Sequence, residues 1–476
     1  MIRTRFAPSP TGYMHIGNLR TALYEYLIAK HHGGKFILRI EDTDQSRLAE
    51  GSIDAIYKNL KAAGLHHDEG PDIGGEYGPY VQSQRKDNYL KYAKELINNG
   101  KAYYCFCNKE RLSALGEHEK YDRHCLKMGS EEIREKIESN VQYAIRQLIP
   151  KGESTFTDMV FGEITINNDE LDDQVLIKSD GMPTYNFANV IDDHLMKITH
   201  IIRGNEYLSS TPKYNMLYNE FGWPIPKYIH LPLILNEKGE KLSKRKGDAT
   251  FDDLLSQGFL PEAVVNYIAL LGWSPPDNQE IFSLPELVEQ FDETRLNKAP
   301  ATFDIQKLTW MNSEYMKRMD PAKFYDINRT VLESTIKSPG IDLQAVSSMV
   351  QTRINFIHEI PSLVDFIDEL PNHDVELYIH KKMKTNLENS LTSLENALPI
   401  LEELSDWNSS HIYDALIALV KSMGIKNSQM LWPVRTALSG KPTSPCGASE
   451  LCVLLGKDET LRRIRHGIEV CKLNTP

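Results

Sequence analysis

Apolar positions along the chain change period several times, and the changes divide it into regions. Residues 2–7 read as a short strand, and Pro8 and Pro10 then forbid regular pairing. From Asn18 the spacing turns helical: Leu19, Ala22, Leu23, Tyr26 and Leu27 fall at i, i+3, i+4, i+7 and i+8. Gly33 and Gly34 stop that run. Residues 35–40 predict a second strand, followed by the acidic turn Glu41-Asp42-Thr43-Asp44, and another helical run begins near Ser52. Strand, helix and strand within about 40 residues make a βαβ unit, which favours a parallel sheet.

Residues 101–195 break that rhythm. Segments 154–160, 163–166 and 174–177 are strand-like, so the region reads as an insertion between two halves of one α/β fold. The α/β pattern resumes at 198–203 and 230–235. Beyond about residue 315 strand signals vanish. Leu343, Val346, Val350, Ile354 and Ile357 form one helical stripe, and Leu391, Leu394, Leu398 and Leu401 form another. Ile412, Leu416, Leu419 and Met423 form a third, closed by Gly424. The stripes predict an all-α C-terminal third held by core packing.

The length of 476 residues suits about three domains. No apolar stretch approaches the ~20 residues of a membrane helix, and Arg3 and Arg5 are followed by no apolar leader. With six cysteines and no secretion signal, the expectation is a reduced, cytoplasmic protein. The net charge of −12 argues against a nucleic-acid partner if only the sum counts. Distribution matters more, and basic clusters occur at 241–246, at Arg295 with Lys298, at 381–384 and at 462–465. Each alone reads as solvated surface.

Two segments carry candidate chemistry. The first loop, Pro8-Ser9-Pro10-Thr11-Gly12-Tyr13-Met14-His15-Ile16-Gly17-Asn18, leads from a strand into a helix. A helix N-terminus offers free N–H groups and a positive dipole, where phosphate binds readily. Gly12 and Gly17 permit close backbone approach, and His15 can donate to a phosphate oxygen. The second segment, Glu240-Lys241-Leu242-Ser243-Lys244-Arg245-Lys246-Gly247, packs four cations into a loop bracketed by Gly239 and Gly247. Such a loop suits a polyphosphate.

A His-Ile-Gly loop after the first strand, with Lys-Leu-Ser-Lys far downstream, is the layout of class I aminoacyl-tRNA synthetases. Phe6-Ala7-Pro8-Ser9-Pro10-Thr11-Gly12, Arg39-Ile40-Glu41-Asp42-Thr43-Asp44, Asp180-Gly181-Met182-Pro183-Thr184-Tyr185, Asp192-Asp193-His194, Leu270-Leu271-Gly272-Trp273-Ser274-Pro275 and Pro433-Val434-Arg435-Thr436 extend the likeness along nearly the whole chain. The chain resembles the bacterial glutamyl-tRNA synthetases. The resemblance implies a Rossmann-like parallel-sheet catalytic domain in two halves, 1–100 and 196–315, the second carrying the Lys-Leu-Ser-Lys-Arg loop. It implies an inserted α+β acceptor-binding domain at 101–195 and an all-α anticodon-binding domain at 316–476.

The implied reaction is attack of glutamate's α-carboxylate on the α-phosphate of ATP, then transfer of glutamate to the terminal adenosine of tRNA(Glu). By resemblance His15, Lys241 and Lys244 are catalytic, and magnesium travels with ATP. Ser9, Gly12, His15, Gly17, Asn18, Glu206 and Lys244 would contact ATP. Arg5, Tyr185 and Asn189 would hold the side-chain carboxylate, Arg203 the α-carboxylate, and Glu41, Ser9 and the Ala7 backbone the ammonium. Some relatives bind zinc through Cys-x-Cys and a later Cys-x-His. Cys105, Cys107 and Cys125 match that pattern, but Lys127 stands where the last histidine would be. His124 is strained as a ligand beside Cys125, and His118 is an alternative, so three reduced cysteines are expected ahead of a closed zinc site.

The competing readings are a small-acid nucleotidyltransferase that ignores tRNA, a non-catalytic tRNA-binding relative, and glutaminyl-tRNA synthetase. The helical C-terminal third and the presence of both His15 and Lys244 weigh against them. A variant reading is an enzyme that also charges tRNA(Gln). A monomer is expected by resemblance.

Overall fold

The computed structural model describes residues 1–10, 14–44, 48–116, 120–242 and 250–474. The chain divides into two units, Met1–Leu308 and Thr309–Pro476.

The first unit opens with strand β1 (Arg3–Phe6), helix α1 (Ile16–His31) and strand β2 (Lys35–Leu38). β1 and β2 pair in parallel, with Arg3 opposite Lys35 and Phe6 opposite Leu38. Both are buried almost throughout, as strands covered on two faces must be. α1 is buried on most of its circumference, from Ile16 and Leu19 through Leu27 and Ile28, and even its Arg20 and Glu25 are enclosed. It is a core helix. Gly33 ends it at φ 62°, a conformation that glycine adopts freely. At Gly34 a β-carbon would sit 2.2 Å from the Ile2 carbonyl oxygen. The return into β2 therefore requires a residue without a side chain.

Helices α2 (Ser52–Ala62) and α3 (Lys86–Asn98) follow. Next come β3 (Ala102–Cys105), α4 (Lys109–Ala114), α5 (Ser130–Glu138), β4 (Ala144–Gln147), the hairpin β5 (Glu153–Asp158) and β6 (Gly162–Asn167), and β7 (Val175–Ile177). β3, β4 and β7 form an antiparallel sheet. α6 (Tyr185–Leu195) leads into β8 (His200–Gly204), α7 (Thr211–Glu220) and β9 (Lys227–Leu231). The small sheet packs on α3, α6 and α7 through Tyr89, Leu96, Ile145, Leu176, Phe187, Ile191 and Leu217.

β8 and β9 are parallel neighbours in a four-stranded sheet ordered β6-β5-β9-β8. The Thr199 amide donates to the Arg3 carbonyl at 2.9 Å, which lays β1 beside the start of β8. The hairpin departs from the sequence reading of 101–195 as one insertion. β5 joins β9 in parallel at Asp158 opposite Tyr228 and so extends the sheet of the second half. A strand's own residues set its propensity but not its partner, and this pairing spans a long stretch of chain. β10 (Ile234–Leu235) pairs in parallel with β11 (Ala301–Thr302).

Helix α8 (Phe251–Ser256) is closed at its start by a Thr250–Asp253 capping box. α9 (Pro261–Leu270) and α10 (Leu284–Gln290) complete this unit, and α11 (Ile305–Arg318) runs through the boundary.

The second unit holds α12 (Pro321–Thr335), α13 (Leu343–Val350), α14 (Ile360–Val364), α15 (Leu387–Glu403), α16 (Ser409–Met423), α17 (Asn427–Ser439), α18 (Ala448–Leu455) and α19 (Lys457–Asn474). Among its described residues there is no named strand. The stripes on α15 and α16 bury Leu394, Leu401, Ile412 and Leu416, and Gly424 closes α16 at φ 64°. The first stripe is not one helix. α13 ends at Val350, while buried Ile354 lies in the turn beyond and Ile357 in a short 3₁₀ segment. The turn keeps feeding apolar side chains inward at helical spacing, so period alone does not reveal the break.

Gly34→Ala is expected to lower stability by about 1–3 kcal/mol, since the Ile2 carbonyl has to be displaced. Urea unfolding measures it, and an unchanged midpoint would disprove the close approach.

Candidate active site

The carboxyl ends of parallel strands open onto a crevice, the usual ligand position in such sheets. A cleft lies there, lined by His15, Gly17, Asn18, Arg20 and Thr21 of the α1 end, by Gly204 and Glu206 after β8, and by residues 231–234, Lys241 and Leu242. The two sequence motifs therefore meet in one cleft. Lys241 arrives there because residues 235–241 form a tight return, with Leu235 bridged to Lys241 and the Leu242 amide bonded to the Ile234 carbonyl at 2.9 Å. Lys244 and Gly12, the other phosphate candidates, lie outside the described residues.

His15 is the N-cap of α1. Its Nδ1 accepts the Gly17 amide at 3.0 Å. In the neutral ring this leaves the proton on Nε2, which makes that nitrogen the donor. No acidic residue occupies the first turn of α1, so the positive end of the helix is not offset there. Arg20 adds a buried cation on the cleft wall. It donates to the Leu271 carbonyl at 2.9 Å and to the Pro232 carbonyl, and burial lowers its pKa.

Beside this cleft, Ser9, Glu41, Thr184, Tyr185 and Tyr207 line a second hollow. Its floor is a buried ionic cluster. Arg39, with no exposed side-chain surface, donates to Glu41 Oε1 at 2.8 Å, to Asp193 Oδ1 at 2.7 Å and to Asn189 Oδ1 at 2.8 Å. Arg5 donates to the same Asp193 oxygen at 3.0 Å, to Glu25 at 3.1 Å and to Asn189 at 3.4 Å. Asn189 in turn donates to Glu41 Oε2 at 3.3 Å.

The protonation preferences of these acids differ. Burial works against the Asp193 carboxylate, but Arg39 and Arg5 outweigh it and hold the group below its ordinary range. Burial pushes Glu41 up to about 7, only partly offset by Arg39 and Arg5. Burial drives Glu25 well above the usual carboxylate range against the pull of Arg5. Its Oε2 has no hydrogen-bond partner among the described residues. Two of the five Arg5 N–H groups are left without a partner among the described residues.

Arg5, Glu41 and Asn189 are thus in mutual contact. Tyr185 lies within electrostatic reach of Glu41, Arg5 and Arg203, and its ring is 5.8 Å from that of Tyr207. Arg203 sits under Tyr207, its guanidinium carbon 5.3 Å from the ring centroid. Ser9 is exposed and Ala7 half-buried.

Sequence reasoning quoted Arg39 and Asp193 as motif residues without a task, and it passed over Glu25 and Arg20. The available signal was a charged residue inside an otherwise apolar strand or helix, which must be paired once buried.

Cys105, Cys107 and Cys125 also converge, their sulfurs within 4.8 Å of one another. Tyr121, which sequence reasoning did not consider, places its hydroxyl 3.3 Å from Cys105 Sγ and 3.4 Å from Cys107 Sγ. Burial opposes ionisation of Cys105, but the Tyr121 hydroxyl and Arg146 hold its thiol below the ordinary value. Burial pushes Cys107 up to about 11. Three sulfurs and one oxygen make a four-atom donor set that suits a thiophilic ion such as zinc, without His124 or Lys127. His118 lies outside the described residues.

A family model described as tRNA synthetases class I (E and Q), catalytic domain, matches residues 1–310, and an anticodon binding domain model matches residues 310–468. The glutamate–tRNA ligase of Clostridium novyi is 58% identical over 99% of this chain and 98% of its own length. That of Clostridium tetani is 57% identical over the same shares. A crystal structure of a glutamate tRNA ligase from Elizabethkingia meningosepticum in complex with its amino acid superposes with a TM-score of 0.88 at 35% identity, covering 98% of this chain and 99% of that one. With likeness of this extent over both units and the two motifs sharing one cleft, the chain belongs to the glutamate–tRNA ligases, ATP-dependent class I aminoacyl-tRNA synthetases.

Proposed function

We propose that the cleft at the start of α1 binds the ATP–magnesium complex and that the adjoining hollow binds glutamate, so that the α-carboxylate meets the α-phosphate between them. The observation that carries this reading is the shared cleft of His15 and Lys241 at a helix N-terminus with no acid in its first turn. His15 Nε2–H and Lys241, with Lys244, stabilise charge on the phosphate as it develops. Ser9, Gly12, Gly17, Asn18 and Glu206 seat the nucleotide.

Arg203 meets the α-carboxylate, while Glu41 with Ser9 and the Ala7 carbonyl meets the ammonium. Arg5, Tyr185 and Asn189 take the side-chain carboxylate. A glutamine amide there brings no charge of its own to pair with Arg5, which disfavours it. The adenylate's glutamyl group then passes to the terminal adenosine of tRNA(Glu). Residues 101–195 engage the acceptor end and 316–476 the anticodon. No helix among the described residues is long and apolar enough to cross a membrane, and we place the enzyme in the cytoplasm as a monomer.

Three measurements test these assignments. ATP–pyrophosphate exchange dependent on glutamate is expected when tRNA is present, and His15→Ala should slow it by roughly 10²–10³-fold with the fold intact. A wild-type rate removes His15 from the chemistry. Glu41 must be ionised to hold an ammonium, and burial has pushed it up to about 7. Lowering the pH through that value protonates it, so the KM for glutamate should rise as pH falls from 8 to 6, approaching about tenfold per unit below 7, while the KM for ATP stays level. A flat glutamate profile rejects the role. Finally, Cys105, Cys107, Cys125 and Tyr121 hold one structural zinc. Metal analysis of the purified chain should find about one equivalent and Cys125→Ser should lose it. Metal-free protein with three alkylatable thiols overturns that assignment.

A further inference from the structure

Arg203 and Arg5 differ in their compensation. Arg5 touches two carboxylates. Arg203 is almost as deeply buried, at 8% exposure, yet among the described residues no carboxylate is within ion-pair distance of it. Its direct contacts are neutral groups. The guanidinium carbon lies 4.6 Å from the Tyr214 ring centroid and 5.3 Å from those of Tyr207 and Tyr228. Nη2 donates to Thr211 Oγ1 at 3.0 Å, and Nε donates to His230 Nε2 at 3.1 Å.

The second contact fixes the imidazole. A guanidinium N–H can only donate, so His230 Nε2 carries no proton and Nδ1 does. Nδ1–H donates to Asp158 Oδ2 at 2.7 Å. Asp158 is itself immobilised. The same oxygen accepts the His230 amide at 3.1 Å, and Oδ1 accepts the Val160 and Phe161 amides at 2.9 and 2.8 Å. Asp158 and His230 are enclosed, with no exposed side-chain surface. The parallel contact of β5 with β9 is what brings Asp158 to this place.

We propose that Asp158 and His230 are positioning residues: the carboxylate selects the imidazole tautomer, the imidazole orients Arg203, and the guanidinium is kept without a direct carboxylate partner until glutamate's α-carboxylate arrives. This rests on the assignment of Arg203 to that carboxylate. A carboxylate in direct contact would orient Arg203 equally well but would neutralise it. A neutral acceptor one residue removed from the acid fixes the direction and spares the charge. The remaining three N–H groups of Arg203 carry no carboxylate among the described residues, and such a fork fits a substrate carboxylate.

The test separates glutamate from ATP in the exchange reaction with tRNA present. In Asp158→Asn the amide can still accept the Val160 and Phe161 N–H groups through its oxygen. Its NH2 then faces Nδ1 and the His230 amide N–H, which loses its acceptor, and the ring proton moves to Nε2 and confronts Arg203. The KM for glutamate should rise roughly ten- to a hundredfold, the usual range for losing one hydrogen bond to a charged group, with the KM for ATP unchanged. His230→Phe keeps the ring volume without the acceptor and should do the same, which covers the case in which Asp158→Asn does not fold. His230→Gln restores a carbonyl acceptor and should recover most of the affinity.

A glutamate KM at the wild-type value in His230→Phe, or an equal rise for ATP, overturns the relay. Arg203→Gln distinguishes the two layers. If it raises the glutamate KM while the Asp158 and His230 variants do not, the relay is wrong and the assignment of Arg203 stands. If it leaves that KM unchanged, the assignment itself falls.

Discussion

One oxygen atom organises the catalytic unit. Asp193 Oδ1 accepts from Arg5 at 3.0 Å and from Arg39 at 2.7 Å, in a region where both guanidiniums are buried. Buried charge is tolerated only when it is paired and hydrogen-bonded, and loss of one partner strands the others. The two arginines stand on β1 and just beyond β2, and the acid on α6. Electrostatics thus pins the first strand pair to the helix that carries Tyr185 and Asn189, at the spot where the hollow needs a fixed floor.

The neighbouring cleft is built differently. It relies on backbone geometry: a helix start with unpaired positive character, a histidine that caps it, and a short return that brings Lys241 alongside. His15 therefore has one nitrogen for each of its two readings. The structural reading of that residue, a cap, and the chemical reading, a donor, are compatible because Nδ1 serves one and Nε2 the other.

How much was legible in the sequence follows from how local each feature is. α1 and the βαβ unit could be read because periodicity, Gly33 and Gly34 act within a few residues. That His15 and Lys241 belong together could be read because their two motifs are contiguous words. The ionic floor could not, since Arg5 and Asp193 are 188 positions apart and nothing in either neighbourhood names the other. The same holds for Asp158, which reads as the last residue of an ordinary hairpin strand until β9 lies beside it. Tyr121 escaped notice for a chemical reason, because a search by cysteine and histidine spacing passes over a phenol oxygen.

The small antiparallel sheet has an implication for how such chains can be altered. It shares one apolar core with α6, through Ile145 and Leu176 on its strands and Phe187 and Ile191 on the helix. α6 is also the helix that supplies Asn189 and Asp193 to the floor. The interpolated segment is therefore not a detachable module. Anyone grafting a foreign segment in place of that sheet, or trimming it away to obtain a minimal catalyst, would strip the greasy backing from the helix that anchors the buried charges, and would have to rebuild that backing first.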